Sequence, residues 1–296
     1  MSVHQRIAIT GASGLIGTAL VGHLKAEGHT VQRLVRRAPV GADEVQWDPQ
    51  TGFVDLEPLR GVNAVIHLAG VGVGDKRWSK KYKSEILNSR LLGTTAIANA
   101  VTELKPQVFI SASAIGWYGE SGNRAVVETD RVGDDFLAAV CREWEAAADL
   151  AQDVRTVKIR TGLVLDPTGG ALGKMLPLFR LGLGGKLGNG KQWWSWITLH
   201  DQIRAIVFAL ENPISGPVNL TAPNPVTNQE FTAALARAMH RPALFPAPAI
   251  ALKIALGGFS SEILGSKKVI PHVLQEAGFT WDYPHISETL SALIED

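Results

Sequence analysis

Cysteine is nearly missing from this chain. Cys141 stands alone in 296 residues, so no internal disulfide can form, and that suits a reducing compartment. Cys141 lies in a helical pattern, where a buried inert thiol is the expected reading rather than a nucleophile. Long apolar runs are missing too. The most apolar late stretch, Ala247 to Leu256, is interrupted by Lys253 and is too short to cross a bilayer. The first apolar run is only a strand long, which is not a secretory leader. These absences lead to an expected cytoplasmic location. An excess of either charge is missing: 29 Lys and Arg against 28 Asp and Glu leave a net +1. That balance gives no electrostatic case for nucleic acid or membrane as a partner. No Cys/His or carboxylate cluster has metal-ligand spacing, so no metal is expected. There is no internal repeat. Tyrosine is scarce, and none of Tyr82, Tyr118 and Tyr283 is followed four positions later by lysine; those places hold Ile86, Gly122 and Ser287.

Glycine, by contrast, is placed with purpose. Thr10-Gly11-Ala12-Ser13-Gly14-Leu15-Ile16-Gly17 follows the apolar run Arg6 to Ile9 and opens a helical pattern running to Leu24. Strand, glycine turn and helix in that order form a pyrophosphate cradle. Gly11 permits the sharp turn, Gly14 removes a side chain where phosphate must approach, and Gly17 lets helix and strand pack closely. Free N–H groups and the positive end of the helix then face the anion. The second strand, Thr30 to Val35, ends in Arg36 and Arg37. A site preferring NAD would place Asp or Glu there for the ribose 2′-hydroxyl. Guanidinium instead grips a 2′-phosphate. The expected cofactor is therefore NADP(H), with Arg36 the foremost contact.

Further strands are expected at Val62 to Gly70, Gln107 to Ala112 and Val154 to Arg160, and helices at Ser84 to Ala100 and Asp134 to Ala151. Apolar strands alternating with helices predict an α/β fold of Rossmann type, a doubly wound parallel sheet. Ligands in such sheets sit at the carboxyl ends of the strands. The expected cofactor contacts are Gly11, Ser13, Gly14, Leu15, Ile16 and Gly17 in the cradle, then Val35, Arg36 and Arg37. Leu68, Ala69, Gly70, Ser111 and Val164 join them from later strand ends.

Past residue 165 the rhythm is lost, and a smaller C-terminal substrate lobe is expected over 166–296, interleaved with the dinucleotide-binding part at 1–165. Ala171 to Leu181 reads as helix. Asn189-Gly190 carries a hairpin signal, and Gln192 to Ile197 reads as one strand. Its three tryptophans offer either a stacking surface for a substrate or a core between lobes. Thr198 and Asp201 have the spacing of a capping box ahead of a helix at Gln202 to Leu210. His200 reads as a general base or as a structural residue at that helix start. Asn228 to Met239 reads as helix, capped by Thr227 or Asn228. Arg241 to Pro248 reads as an extended connector, followed by helices at Ala249 to Leu256 and Ser287 to Ile294.

Thr10 to Gly17, the Val65 to Gly70 strand and the Ser111 to Gly119 segment resemble the extended short-chain dehydrogenase/reductases, which include nucleotide-sugar epimerases and dehydratases. A narrower set points to one atypical branch: Trp47-Asp48-Pro49, Arg77-Trp78, Ser89-Arg90-Leu91, Asp135-Phe136-Leu137 and Gly182 to Gly185. Gln192 to Ile197, Thr221-Ala222-Pro223 and Pro225 to Asn228 complete it. The chain is thus similar to the YfcH-like "epimerase family protein" branch of the NAD-dependent epimerase/dehydratase superfamily. The resemblance implies an NADP-binding Rossmann fold, a C-terminal substrate lobe, and Glu85 and Arg90 near the cofactor. A monomer or homodimer is expected.

The wider superfamily uses a Tyr whose pKa is lowered by a Lys four residues on. The resemblance places that pair at Leu137 and Cys141, neither of which can do the work. Two substitutes are candidates for catalysis. Ser113 matches the superfamily's substrate-binding serine, or else satisfies backbone groups at a strand end. Tyr118 reaches the cleft, or else packs under its glycine loop. Two functions follow. One is an NADP(H)-binding oxidoreductase or epimerase acting on a small carbonyl or sugar nucleotide. The other is a noncatalytic NADP(H)-binding regulatory or redox-sensing protein.

Overall fold

Apolar strands need cover on both faces, and the computed structural model, which describes residues 4–295, supplies it. The first half runs β1 (Arg6–Thr10), α1 (Leu15–Ala26), β2 (Thr30–Val35), β3 (Glu44–Asp48), β4 (Phe53–Val54), β5 (Ala64–His67) and α2 (Lys80–Leu104). It continues through β6 (Val108–Ala114), β7 (Ala125–Val126), α3 (Phe136–Ala148), β8 (Arg155–Thr161) and β9 (Leu163–Asp166). The second half holds α4 (Gly170–Arg180), β10 (Trp193–Trp194), β11 (Trp196–Thr198), α5 (Leu199–Glu211), β12 (Gly216–Leu220) and β13 (Val226–Thr227). It ends with α6 (Asn228–Ala238), α7 (Ala249–Leu256), α8 (Ser260–Leu264), β14 (Lys268–Val269), α9 (His272–Glu276) and α10 (Ile286–Glu295).

The main sheet has the order β12-β8-β6-β5-β1-β2-β3-β4, parallel except for the last strand. The direction of winding reverses between β1 and β5, so the crevice for a ligand opens above Thr10 and His67. Side-chain alternation divides the core. Ile7, Ile9, Ile66 and Ile110 face α1 and α5 with Leu20, Leu24 and Ile206. Ala8, Leu34, Val65 and Phe109 face the other way, with Ile97, Val101 and Ala148 of α2 and α3. Period two on the strands meets period 3.6 on the helices. Edge strand β12 and helix α5 come from beyond residue 165, so the sheet crosses the boundary drawn from sequence.

A separate core forms in the second half around Leu172, Phe179, Trp196, Phe231 and Leu290. Trp196 is fully buried there and Trp194 packs edge-on against Phe231 at 5.2 Å, so these two tryptophans build core. Trp193 faces outward, donating its indole N–H to Asn123 at 3.0 Å. Thr198 caps α5 by accepting from the Asp201 N–H at 3.0 Å. Thr227 and Glu230 form a complete capping box on α6.

Two expectations are corrected. Gln192 to Ile197 is not one strand: β10 pairs with β13 and β11 with β9, because Ser195 turns aside to bond Lys267 and Val269. Asn189-Gly190 makes no hairpin. The Gly190 N–H closes a turn onto the Leu187 carbonyl at 3.1 Å, and Leu187 bridges to Ala247 instead. A distant strand partner outweighs the local turn signal.

Candidate functional site

The glycine turn is as tight as its spacing predicts. Gly11 has φ +70°, and a Cβ there would stand 2.8 Å from the Leu68 carbonyl carbon. A Cβ on Gly17 would stand 2.1 Å from the Gly11 oxygen. Gly14 starts α1 with extended backbone and no side-chain cap, leaving first-turn N–H groups for an external acceptor. Ser13 and Gly14 are exposed; Leu15 and Ile16 are half-buried. Leu15 packs against the Gly169-Gly170 turn, and a Cβ on Gly170 would stand 3.4 Å from the Val164 oxygen. Val164 packs with Ala12 and Ile16 against one core.

The opposite lip is pinned by Thr10. Its hydroxyl shares a 2.7 Å hydrogen bond with His67 Nδ1 and accepts from the N–H groups of Leu68 and Ala69 at 3.2 and 3.3 Å. His67 is fully buried, which pushes its pKa down to about 3 and keeps the ring neutral. Ser111 lies opposite His67 in register and is fully buried as well.

At the end of β2 the charges sort themselves. Arg33 grips Asp43 at 2.9 and 3.0 Å. Arg37 forms a bidentate pair with Glu44, both contacts 2.7 Å. These forks hold both carboxylates below the usual range. Arg37, expected on the cofactor, is thus committed elsewhere. Arg36 is exposed and makes no hydrogen bond to any described residue, beside half-buried Val35.

Arg90 occupies the inner end. It is 9% exposed, donates Nη1 to the Val71 and Ile86 carbonyls at 2.9 and 3.1 Å, and lies 4.7 Å over the Trp144 ring. Its guanidinium carbon is 3.5 Å from where a Cβ on Gly70 would stand. Burial lowers its pKa, and it forms no ion pair with a carboxylate among the described residues. Glu85 does not accompany it. That residue is exposed on α2, 3.9 Å from Lys76.

The two catalytic candidates are both buried. Tyr118 is 3% exposed, donates to Asn219 Oδ1 at 2.7 Å and accepts from Arg160 Nη1 at 3.0 Å. Burial pushes its pKa up to about 12. Ser113 donates to Glu145 Oε1 at 2.7 Å and is 4% exposed. Both belong to a buried structural network centred on the Arg160–Glu145 pair. Leu137 and Cys141 stand on α3 above the strand end, within 3.5 Å of where a Cβ on Gly116 would lie. Burial pushes the Cys141 thiol up to about 12, as expected of an inert residue.

One charged group was not visible in sequence. Lys267 is buried, with a side chain only 6% exposed, and donates to Glu262 at 2.9 Å. Burial lowers its pKa, but Glu262, with Asp135 and Glu120, outweighs this and raises it. Its surroundings form only when the C-terminal segment folds back, pairing β14 with β7 and donating the Lys267 N–H to the Trp193 carbonyl at 3.0 Å. His200, by contrast, is an exposed partner of Asp282 at 2.8 Å. It forms one potential metal cluster with Asp201 and Asp282, but Arg204 bonds both carboxylates there. A guanidinium already holds the place a cation would need.

Residues 7–221 match the pattern of the NAD dependent epimerase/dehydratase family. The chain belongs to that family. Residues 247–293 match a second pattern, a domain of unknown function, DUF1731. The chain is 46% identical over 288 residues to Epimerase family protein Mb2239 of Mycobacterium bovis, covering 96% of each. It is 38% identical over 301 residues to a chloroplastic epimerase family protein, the SDR39U1 homolog of Arabidopsis thaliana, covering 98% of this chain and 86% of the other. The crystal structure of the human epimerase family protein SDR39U1 with NADPH superposes with a TM-score of 0.91 at 33% identity, covering 98% and 99% of the two chains. Among the described residues, no helix is long and apolar enough to cross a membrane.

Proposed function

We propose that this protein binds NADP(H) and acts as an oxidoreductase or epimerase on a small carbonyl or nucleotide-sugar substrate. One observation carries the cofactor reading: a cradle with no room for a Cβ at Gly11 or Gly17 has at each end a guanidinium without a carboxylate partner, Arg36 outside and Arg90 inside. An unpaired buried cation is costly to the fold, and an anionic ligand compensates it. The human relative solved with NADPH agrees with this choice. Gly11, Gly14 and Gly17 hold the diphosphate against main-chain N–H groups. Arg36 takes the 2′-phosphate, while Val35, Leu68, Ala69 and Val164 exclude water around the dinucleotide. When bound, the nicotinamide supplies hydride transfer. Arg36→Ala should weaken NADPH binding at least ~10-fold, a charge-assisted pair's worth, and leave NADH binding nearly unchanged. Fluorescence titration with both nucleotides measures this, and equal losses reject the assignment.

Lys267 supports a catalytic role. Its buried ammonium donates to Glu262 at 2.9 Å and is favoured further by Asp135 and Glu120. We assign to Lys267 the proton-giving role that Cys141 cannot fill. In a screen of carbonyl and nucleotide-sugar substrates, Lys267→Met should cut turnover ~100-fold, the scale of a lost general acid, with NADPH affinity kept. The locked state of Tyr118 and Ser113 favours a second reading, a noncatalytic NADP(H)-binding regulatory or redox-sensing protein. Tight NADPH binding without turnover or isotope exchange on any substrate would select it.

A further inference from the structure

The near-zero net charge conceals a strongly asymmetric region. Between Asp166 and Asp201 there is no carboxylate, while Lys174, Arg180, Lys186 and Lys191 are present. Between Glu230 and Glu262 there is again none, with Arg237, Arg241 and Lys253 present. Backbone hydrogen bonds join these two stretches. The Phe245 N–H donates to Gly184 O, Ala247 N–H to Lys186 O at 2.9 Å, and Gly188 N–H to Ala247 O at 2.8 Å.

The same stretches carry seven of the eleven large apolar side chains that stand exposed among the described residues. Leu178, Leu181 and Leu183 come from the end of α4 and its following loop. Leu244 and Phe245 come from the connector, and Ile250 and Ile254 from α7, which buries none of its residues. Leu181, Leu244 and Ile250 are each more than 70% exposed. Scattered surface apolar residues need no explanation, but a joined group does.

We propose that this face docks on an anionic lipid surface. Exposed apolar side chains on joined stretches that carry seven cations and no carboxylate match an interfacial anchor, in which side chains enter the headgroup boundary and Lys and Arg meet lipid charge. Charge complementarity selects this occupant: a second copy would bring seven cations against seven, and a neutral protein would leave them unpaired. Docking needs no bound cofactor and is independent of the proposed chemistry.

The test is co-sedimentation of the full chain with phosphatidylcholine vesicles, with or without about one-third phosphatidylglycerol. Binding is expected only to the anionic vesicles, weakening with salt as the Debye length shortens. Leu181→Glu with Ile254→Glu should lower partitioning at least about tenfold, as insertion of two apolar side chains is lost, with the melting temperature unchanged. Lys253→Glu with Arg241→Glu should act likewise. The proposal is overturned if anionic vesicles do not bind the chain at physiological salt, if the apolar pair of changes leaves partitioning intact, or if the patch instead holds a dimer in sedimentation equilibrium.

Discussion

Glu145→Gln is expected to destabilise the fold by about 3–5 kcal/mol, the loss seen when one partner of a buried ion pair is removed. Arg160 and Glu145 are 2% and 4% exposed. Glu145 accepts from Arg160 Nε at 2.7 Å and Nη2 at 2.9 Å, and from Ser113 Oγ at 2.7 Å. The glutamine keeps the shape, removes the charge, and turns one acceptor into a donor facing donors. Arg160 also lies 3.9 Å over the Trp117 ring and bonds the Glu128 carbonyl at 3.1 Å, so it cannot swing out to water. Chemical denaturation measures the loss. A change under about 1 kcal/mol, the value of an exposed pair, would mean that solvent reaches the guanidinium.

Gly17→Ala should abolish NADPH binding and destabilise by about 1–3 kcal/mol, the scale of an overpacked site. Its new Cβ would lie 2.1 Å from the Gly11 oxygen and 2.9 Å from the Ala12 Cα. Both obstacles are main chain, so relief requires the cradle itself to open. Gly22 is the control, on the same helix with nothing within 4 Å of a new Cβ. Gly22→Ala should stabilise by up to about 1 kcal/mol through helix propensity, with NADPH binding kept. Calorimetry and nucleotide titration on both variants decide it. A Gly17→Ala protein that still binds NADPH would disprove the cradle.

The cradle was legible because strand, turn and helix are local, and a local chain segment carries its own geometry. The same holds for the caps at Thr198 and Thr227. What escaped the sequence depends on distant partners. Sequence leaves Tyr118 either in the cleft or packed under its glycine loop, and only Asn219, 101 positions away, settles its hydroxyl by accepting its hydrogen bond. Arg37 reads like Arg36 until β3 folds alongside β2 and brings Glu44 to it. That strand did carry a signal, since Glu44-Val45-Gln46-Trp47-Asp48 alternates polar and apolar residues and buries Val45 and Trp47, but five residues with two carboxylates make a weak one. Lys267 had no signal at all; its surroundings come from residues 120, 135 and 262. Glu145, a carboxylate on the apolar stripe of α3, does ask for a buried cation, and that cation is Arg160.

Leu274 and Phe279 share a core with Ile7 and Ile9, and Glu128 Oε1 accepts the N–H groups of both Asn219 and Val273. On a ribosome adding ~5–20 residues per second, the opening strands would therefore wait some ten seconds or more for their last cover. During synthesis the half-built sheet is a natural client for holding chaperones, and removing the final thirty-odd residues should send the product to proteases rather than leave a working nucleotide-binding half.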